Sequence, residues 1–300
     1  VPVYNGLYQN MQNIMTVDVE DYFQVAALAE SIKVSEWEGI PTRVVNNTQR
    51  LLDLFDQHNI KVTHFILGWV ADKHPELVAE IHQRGHEVAS HGYSHQLIYN
   101  QSPEVFRNET IRSKSLLEDI TGTQVLGYRA ASYSITRKSL WALDILGECG
   151  FTYDSSIFPI VHDRYGIPNS PKDPYYIKTA EGHQLLELPL STESWFGQTI
   201  PIAGGGYFRL YPYWLSKFLY RRREKKQQPF IFYLHPWEVD AEQPKVDVSW
   251  FSRFRHYNNL DKCESRLSNL ISEFKFDTMQ SYIDTLDLEE LAKNPQEFSA

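Results

Sequence analysis

The feature that most constrains the fold is an alternation of short apolar runs with longer amphipathic stretches, repeated across the first half of the chain. Residues 14–19 read as a buried strand, and residues 47–58 place Leu51, Leu52, Leu54 and Phe55 at helical spacing. Residues 62–70 read as a strand, 75–84 as a helix with Pro75 in its first turn and Gly85 past its end, and 86–90 as the next strand. A charged helix over 103–120 closed by Gly122, a strand over 125–129, a helix over 137–147 and a short strand over 151–154 continue the series. Such alternation predicts a parallel sheet closed or covered by helices, with chemistry gathered at the carboxyl ends of the strands. About residues 155–210 the pattern breaks into a segment rich in Pro, Gly and Tyr, with hairpin-like runs at 175–179 and 185–190. Alternation then resumes with a helix over 212–226, a strand over 230–234 and a helix over 260–274, and a last strand is expected within 278–286.

Strand ends carry the reactive side chains. Asp18 and Glu20 are two apart in the first strand and share a face, while Asp21 points away unless the strand has already ended. Carboxylates in an apolar strand need a partner, and a metal, an Arg or a helix N-terminus would each serve. His91 and His95 follow the third strand at HxxxH spacing, so both imidazoles can face one ion from a single turn of chain. His235 follows the run 230–234, Arg129 ends the strand at 125–129 and Asp154 ends the next. Each taken alone is explained by an ordinary ion pair, a capped loop or a satisfied surface histidine. Their recurrence at successive strand ends sets them apart. The eight other histidines lack comparable placement, and among them only His64, inside a strand, calls for attention.

Composition bounds the partners. The chain has 300 residues, 29 Lys and Arg against 38 Asp and Glu, and a net charge of -9, which argues against nucleic acid or an anionic membrane surface as the main partner. Seven Trp, 18 Tyr and 16 Phe suit stacking on sugar rings, though aromatics more often fill a core. Two cysteines, Cys149 and Cys263, make neither a disulfide framework nor a metal-ligand set. No run reaches the roughly 18 apolar residues of a membrane span. No basic-then-apolar leader is visible at the start, so the expected location is cytoplasmic. Without repeats or low-complexity linkers, a single domain over residues 11–290 is expected, preceded by an extension or expression remnant at 1–10 and followed by a tail at 291–300. Met11 and Met15 are both candidate starts.

Taken in order, these residues resemble the five motifs of the polysaccharide deacetylase superfamily, carbohydrate esterase family 4. The acidic motif corresponds to Thr16, Asp18, Glu20 and Asp21, the HxxxH motif to His91 and His95, and the third to Arg129 through Ser132. Residues 153–159 correspond to the fourth and Leu234-His235 to the fifth. The runs Asp18–Phe23, Gly204–Arg209, His235–Glu238 and Ser252–Tyr257 are similar to the exosortase-system-associated branch, whose members accompany bacterial exopolysaccharide synthesis, and that similarity extends to about residue 275. Two positions depart from the usual pattern. A residue separates the first acid from the next, and Ala131 stands where Pro is usual.

The resemblance implies an α/β fold, a deformed (β/α) barrel of about seven parallel strands with the Tyr/Gly/Pro-rich segment inserted, and hydrolysis of the N-acetyl group of an N-acetylhexosamine glycan. It assigns a divalent metal, zinc first with cobalt, nickel or manganese as alternatives, to Glu20, His91 and His95, with Asp21 as the alternative acid. Asp18 is implied as general base held by Arg129, and His235 as general acid tuned by Asp154. A backbone N–H near Ser132 is a candidate oxyanion donor, and Trp195 and Tyr207 in the insertion are candidate sugar-stacking residues, with Tyr165, Tyr175 and Tyr176 beside them. Two other classes stay open: a metal-free relative that binds glycan without cleaving it, and a hydrolase of a non-sugar amide, as in allantoinase-like relatives.

Overall fold

The computed structural model describes residues 12–298, so the expected extension at 1–10 lies outside the described residues. In chain order the elements are β1 (Asn13–Val19), α1 (Val44–Gln57), β2 (Thr63–Ile66), α2 (Gly68–Lys73), α3 (Pro75–Gln83), β3 (Glu87–Ser90), α4 (Pro103–Thr121), β4 (Gly127–Tyr128), α5 (Trp141–Glu148) and β5 (Tyr153–Asp154). The second half adds β6 (Tyr175–Lys178), β7 (Gln184–Glu187), β8 (Thr192–Trp195), β9 (Gln198–Pro201), α6 (Gly205–Leu210), α7 (Tyr213–Lys225) and β10 (Ile231–Leu234). It ends with α8 (Trp250–Tyr257), α9 (Cys263–Glu273), β11 (Phe276–Asp277), α10 (Met279–Ile283) and α11 (Leu288–Ala292).

Local sequence explains these elements. Every residue of β1 is buried, as a strand covered on both faces requires. In α1, Val44, Thr48, Leu51, Leu52 and Phe55 are buried along one face, the stripe that docks a helix on a sheet. Helix α4 starts where the Ser102 side chain accepts from the Val105 N–H, with Pro103 at the first helical position, and stops at Gly122 in the left-handed region at φ 68°.

Nine strands form one sheet in the order β10-β1-β2-β3-β4-β5-β7-β6, with β11 against the start of β1. Pairing is parallel from β10 through to β7, and only β6 runs antiparallel. No ladder among the described residues joins the two ends, so the expected closed barrel is not completed by strand pairing. Coil spans the gap instead. Tyr233 of β10 donates its N–H to Ala203 O at 2.7 Å, Ile202 N–H reaches Ser191 O at 3.1 Å, and Leu190 N–H reaches Ile157 O at 3.1 Å. This coil must pass close: a Cβ on Gly204, at φ 117°, would lie 2.2 Å from Tyr233 O.

Several expected elements change. The apolar run 62–70 divides into β2 and α2, because a short apolar run reads equally as strand or buried helix. The last expected strand, 278–286, is α10, capped by Thr278, and the strand residues lie just before it in β11. Within the expected tail, Gln296 N–H donates to Tyr176 O at 2.7 Å and Gln296 O accepts from Lys178 N–H at 3.0 Å along the edge of β6. The inserted segment does not fold as one piece. Its first hairpin, β6–β7, extends the sheet, and its second, β8–β9, forms a separate two-stranded unit.

Candidate active site

Parallel strands bring their C-terminal ends to one side of the sheet, and the loops there converge. Asp18 is the penultimate residue of β1 and Glu20 follows the strand; His91 follows β3, Arg129 follows β4 and His235 follows β10. Asp18, Glu20, His91, His95, Ser132 and His235 line one cavity of about 390 Å³. Three residues there adopt left-handed backbone that side chains disfavour, His95 (φ 52°), Ser132 (φ 50°) and Tyr133 (φ 54°), the kind of local strain that collects at functional sites.

Glu20, His91 and His95 each offer one ligand atom, all within 4.8 Å of one another. His91 Nδ1–H donates to Arg129 O at 2.8 Å, which leaves Nε2 as the ligating nitrogen, the arrangement that orients metal-binding histidines. Burial holds the His91 ring down at about 4, so it is neutral and competent to ligate near neutral pH. His95 Nε2 lies 2.7 Å from Glu20 Oε2, yet that oxygen has no hydrogen bond of acceptable direction. Two potential ligand atoms this close, without directed hydrogen bonding, fit a shared cation. Burial pushes the Glu20 carboxyl up, but His95, His235 and His91 outweigh it and hold it at about 2. Trp237 Nε1–H also donates to Glu20 Oε1 at 3.3 Å. Asp21 is excluded from the set because its carboxylate accepts from the N–H groups of Tyr22 (2.8 Å), Arg43 (2.6 Å) and Val44 (2.9 Å), ending β1 and seating the start of α1. His64 is also core: it packs against His86 and Phe55 and does not line the cavity.

Across the cavity stand a carboxylate and an imidazole. Asp18 Oδ1 accepts from Arg129 Nη1 at 2.7 Å, and Asp18 Oδ2 lies 3.4 Å from the Tyr133 hydroxyl and 3.9 Å from His235 Nε2. Arg129 is fully buried and also engages Thr16 Oγ1, Ser155 O and Ser155 Oγ. One residue thus positions both Asp18, through its side chain, and His91, through its carbonyl.

His235 Nδ1 lies 3.0 Å from Glu238 Oε2, which also accepts the His235 backbone N–H at 2.9 Å. The other Glu238 oxygen accepts from Arg209 Nε at 2.6 Å. Burial alone would lower the basicity of His235, but Glu238, Glu20 and Asp18 push it up to about 9. The expected role of Asp154 as tuner of His235 is therefore corrected: Glu238 occupies that place. The Asp154 carboxylate instead accepts from Ser156 Oγ at 2.5 Å and pairs with Glu187, where burial and the neighbouring acid raise Glu187 well above the usual carboxylate range. Glu238 sits three residues after His235, one turn along, which is the signal in the sequence that could have found it.

Of the aromatics singled out in the sequence, Tyr165 and Tyr207 line the cavity, their hydroxyls 3.5 Å apart. Tyr175 and Tyr176 lie in β6 at the sheet edge. Trp195 is also placed elsewhere: it belongs to the β8–β9 hairpin and packs against Phe196 and Phe218. Tyr133, Tyr233, Trp237, Phe251 and Phe254 complete the aromatic lining and were not identified as site residues from sequence.

Residues 37–153 match the family model described as polysaccharide deacetylase, and residues 155–284 match a domain of unknown function, DUF3473. The chain is 36% identical over 75 residues to a peptidoglycan-N-acetylglucosamine deacetylase of Bacillus cereus, covering 25% of this chain and 27% of that protein. It is 27% identical over 146 residues to a peptidoglycan deacetylase of Helicobacter pylori, covering 49% of this chain and 45% of that protein. The chain thus spans less than half the length of these relatives. Among solved structures, a Mycobacterium smegmatis protein assigned to the polysaccharide deacetylases superposes with a TM-score of 0.64 at 18% identity, over 100% of this chain and 98% of that one. The PuuE allantoinase superposes with a TM-score of 0.56 at 16% identity, over 93% and 95% of the two chains. These likenesses show a shared fold.

Proposed function

We propose that this chain, whose matches support membership of the polysaccharide deacetylase superfamily, is a metal-dependent hydrolase that removes the N-acetyl group from an N-acetylhexosamine glycan, in the service of bacterial exopolysaccharide synthesis. One observation carries the reading: the Glu20, His91 and His95 cluster shares its cavity with an Arg129-held carboxylate and a Glu238-held imidazole. Metal-assisted amide hydrolysis uses all three elements, because water is a weak nucleophile and an amide a weak electrophile with a poor leaving group.

Glu20, His91 and His95 would hold a divalent ion, zinc first by the imidazole and carboxylate donors. Such an ion supplies Lewis acidity, polarising an amide carbonyl and making water more acidic. Asp18, fixed at Oδ1 by Arg129, takes the proton of the attacking water at Oδ2. His235, protonated at neutral pH and donating Nδ1–H to Glu238, presents Nε2–H to the leaving amine. Within the turn after Arg129, the N–H groups of Ala130, Tyr133 and Ser134 are committed to Ser156 Oγ, Ala130 O and Ala131 O, so the oxyanion donor is sought among the N–H groups of Ala131 and Ser132, and Ser132 lines the cavity. Tyr165, Tyr207 and Trp237 present ring faces and edges to the sugar.

Acetate release from a panel of N-acetylated glycans, with and without a chelator, tests the reading. Release that the chelator abolishes and added metal restores is the expected result. Absence of release from every glycan, with metal bound, would overturn the reading in favour of glycan binding without cleavage or hydrolysis of a non-sugar amide.

A further inference from the structure

Arginines in this chain are mostly engaged by carboxylates. Arg84, Arg107, Arg112 and Arg209 each meet one at 2.6–2.7 Å. Arg164 and Arg255 break that pattern. Both line the mouth of the cavity, both are exposed, and neither guanidinium meets a carboxylate among the described residues. Arg255 lies instead over the Phe251 ring, 4.2 Å from its centroid. In a chain with 38 acidic residues against 29 basic ones, two unmatched guanidiniums at one opening are not a by-product of surplus base.

Both line the same cavity as His162, which is stacked on Tyr165, ring centroids 3.7 Å apart. Burial lowers the basicity of His162, Asp163 works against that, and Arg255 and Arg164 both lower it further. Asp163, the acid next to Arg164, is turned onto His162 Nδ1 at 2.9 Å and leaves the guanidinium unmatched.

Arg255 is also held in register with the reaction centre. Arg209, which grips Glu238, donates to the carbonyls of Arg255 (3.1 Å), His256 (2.9 Å) and Asn258 (2.8 Å). The end of α8 that carries Arg255 is thereby pinned to the same ion pair that holds His235. Arg164 and Arg255 both fall in the segment 155–284, beyond the part that matches the deacetylase model.

We propose that Arg164 and Arg255 form an anion subsite that selects glycans bearing a carboxylate or phosphate beside the N-acetylated sugar. The proposal rests on reading the cavity as a glycan site. Guanidinium groups suit either oxyanion, because their paired N–H donors match both geometries. The segment after residue 154 then does more than complete the fold: it narrows the substrate to an acidic saccharide.

Calorimetric binding to the metal-loaded protein tests this with three probes. These are a hyaluronan tetrasaccharide, with a carboxylate on the neighbouring sugar, N-acetylglucosamine 1-phosphate, and neutral tetra-N-acetylchitotetraose. At least one anionic probe is expected to bind about 10-fold tighter than the neutral one, with an advantage that shrinks as salt is raised. In the R164Q/R255Q double variant that advantage falls to within about 2-fold, while the melting temperature, for two exposed side chains, stays close to the parent's. The better anionic probe identifies the oxyanion as carboxylate or phosphate. Equal affinity for all three probes, no binding of either anion, or a preference the double variant keeps would overturn the subsite. Acetate release is read separately. A preference that persists in a protein releasing no acetate upholds the subsite and refutes the proposed reaction; acetate release without any anion preference does the reverse.

Discussion

Glu238 Oε2 receives both the backbone N–H and the Nδ1–H of His235, at 2.9 and 3.0 Å, so one carboxylate fixes the ring and its protonation. Its other oxygen is held by Arg209 at 2.6 Å, and Glu238 itself is lowered to about 2 because Arg209 and His235 outweigh the effect of burial. Glu238→Gln keeps the size of the side chain and removes the charge. With less negative potential beside it, His235 loses its proton at lower pH than the present value of about 9. The high-pH limb of the rate profile should therefore move to lower pH, and turnover at pH 8 should fall by roughly 10-fold or more. Asp154→Asn, away from His235, should leave that limb in place. A pH–rate profile of the two variants, with metal content checked, distinguishes them.

Metal retention should follow the three ligand positions. His91→Ala, His95→Ala and Glu20→Gln are each expected to lose bound metal in mass-spectrometric analysis. Asp21→Asn should keep it but melt earlier, since a carboxylate that accepts three backbone N–H groups is replaced by an amide that satisfies them less well, at about 1–3 kcal/mol. Asp18→Asn should keep metal and fold but lose roughly 100-fold in turnover. Full metal content in His91→Ala and His95→Ala combined would refute the ligand assignment.

Much of this site was legible because β/α alternation fixes where strand ends go. Once residues 14–19, 86–90, 125–129 and 230–234 read as parallel strands, Asp18, His91, Arg129 and His235 had to converge. The side of the strand that faces the cavity was also readable from period two, which put Asp18 and Glu20 together. Contacts made outside the strands were harder to read, and the spacing of Glu238 from His235 was the one local signal for them. Glu238 reaches His235 through a single 3-10 turn, and Arg209 reaches Glu238 from a separate helix. Trp195 and Tyr207 looked alike in the sequence, since aromatic residues in irregular chain carry no periodicity. How the sheet ends are bridged was not legible for a related reason: the gap beside β10 is spanned by glycine-bearing coil whose path depends on close approach to Tyr233, not on a strand pattern.

Acid stability should be limited by a buried histidine pair beneath the sheet. His64 and His86 pack at 5.0 Å between ring centroids, His86 Nδ1 accepts the Val62 N–H, and both His64 nitrogens lack partners. Burial lowers His86 to about 4 and His64 well below its ordinary value. The unfolded chain binds these protons near pH 6.5 and the folded chain only at lower pH, so stability is complete above about pH 6.5 and is lost as pH falls towards 4. His86 alone contributes up to roughly 3 kcal/mol to that loss. Denaturant titrations at pH 7 and pH 5 on the parent and on His64→Phe should show a smaller pH dependence in the variant; equal slopes would remove His64 from the account.

The aromatic contribution to substrate binding should divide along the line the structure draws between Tyr207 and Trp195. Tyr207 lines the cavity with its hydroxyl 3.5 Å from that of Tyr165, whereas Trp195 packs on the β8–β9 hairpin against Phe196 and Phe218. Tyr207→Ala removes ring surface available to a sugar and should raise KM for a long glycan by roughly 10-fold, with less effect on a minimal N-acetylated substrate that does not reach it. Trp195→Ala removes packing of the hairpin against Phe218 of α7. It should lower the melting temperature by a few degrees, on the order of 1 kcal/mol, and leave KM unchanged for both substrates. Steady-state kinetics on the two substrates, run beside thermal denaturation, separate the outcomes, and a length-dependent rise in KM for Trp195→Ala would show that the hairpin reaches the glycan after all.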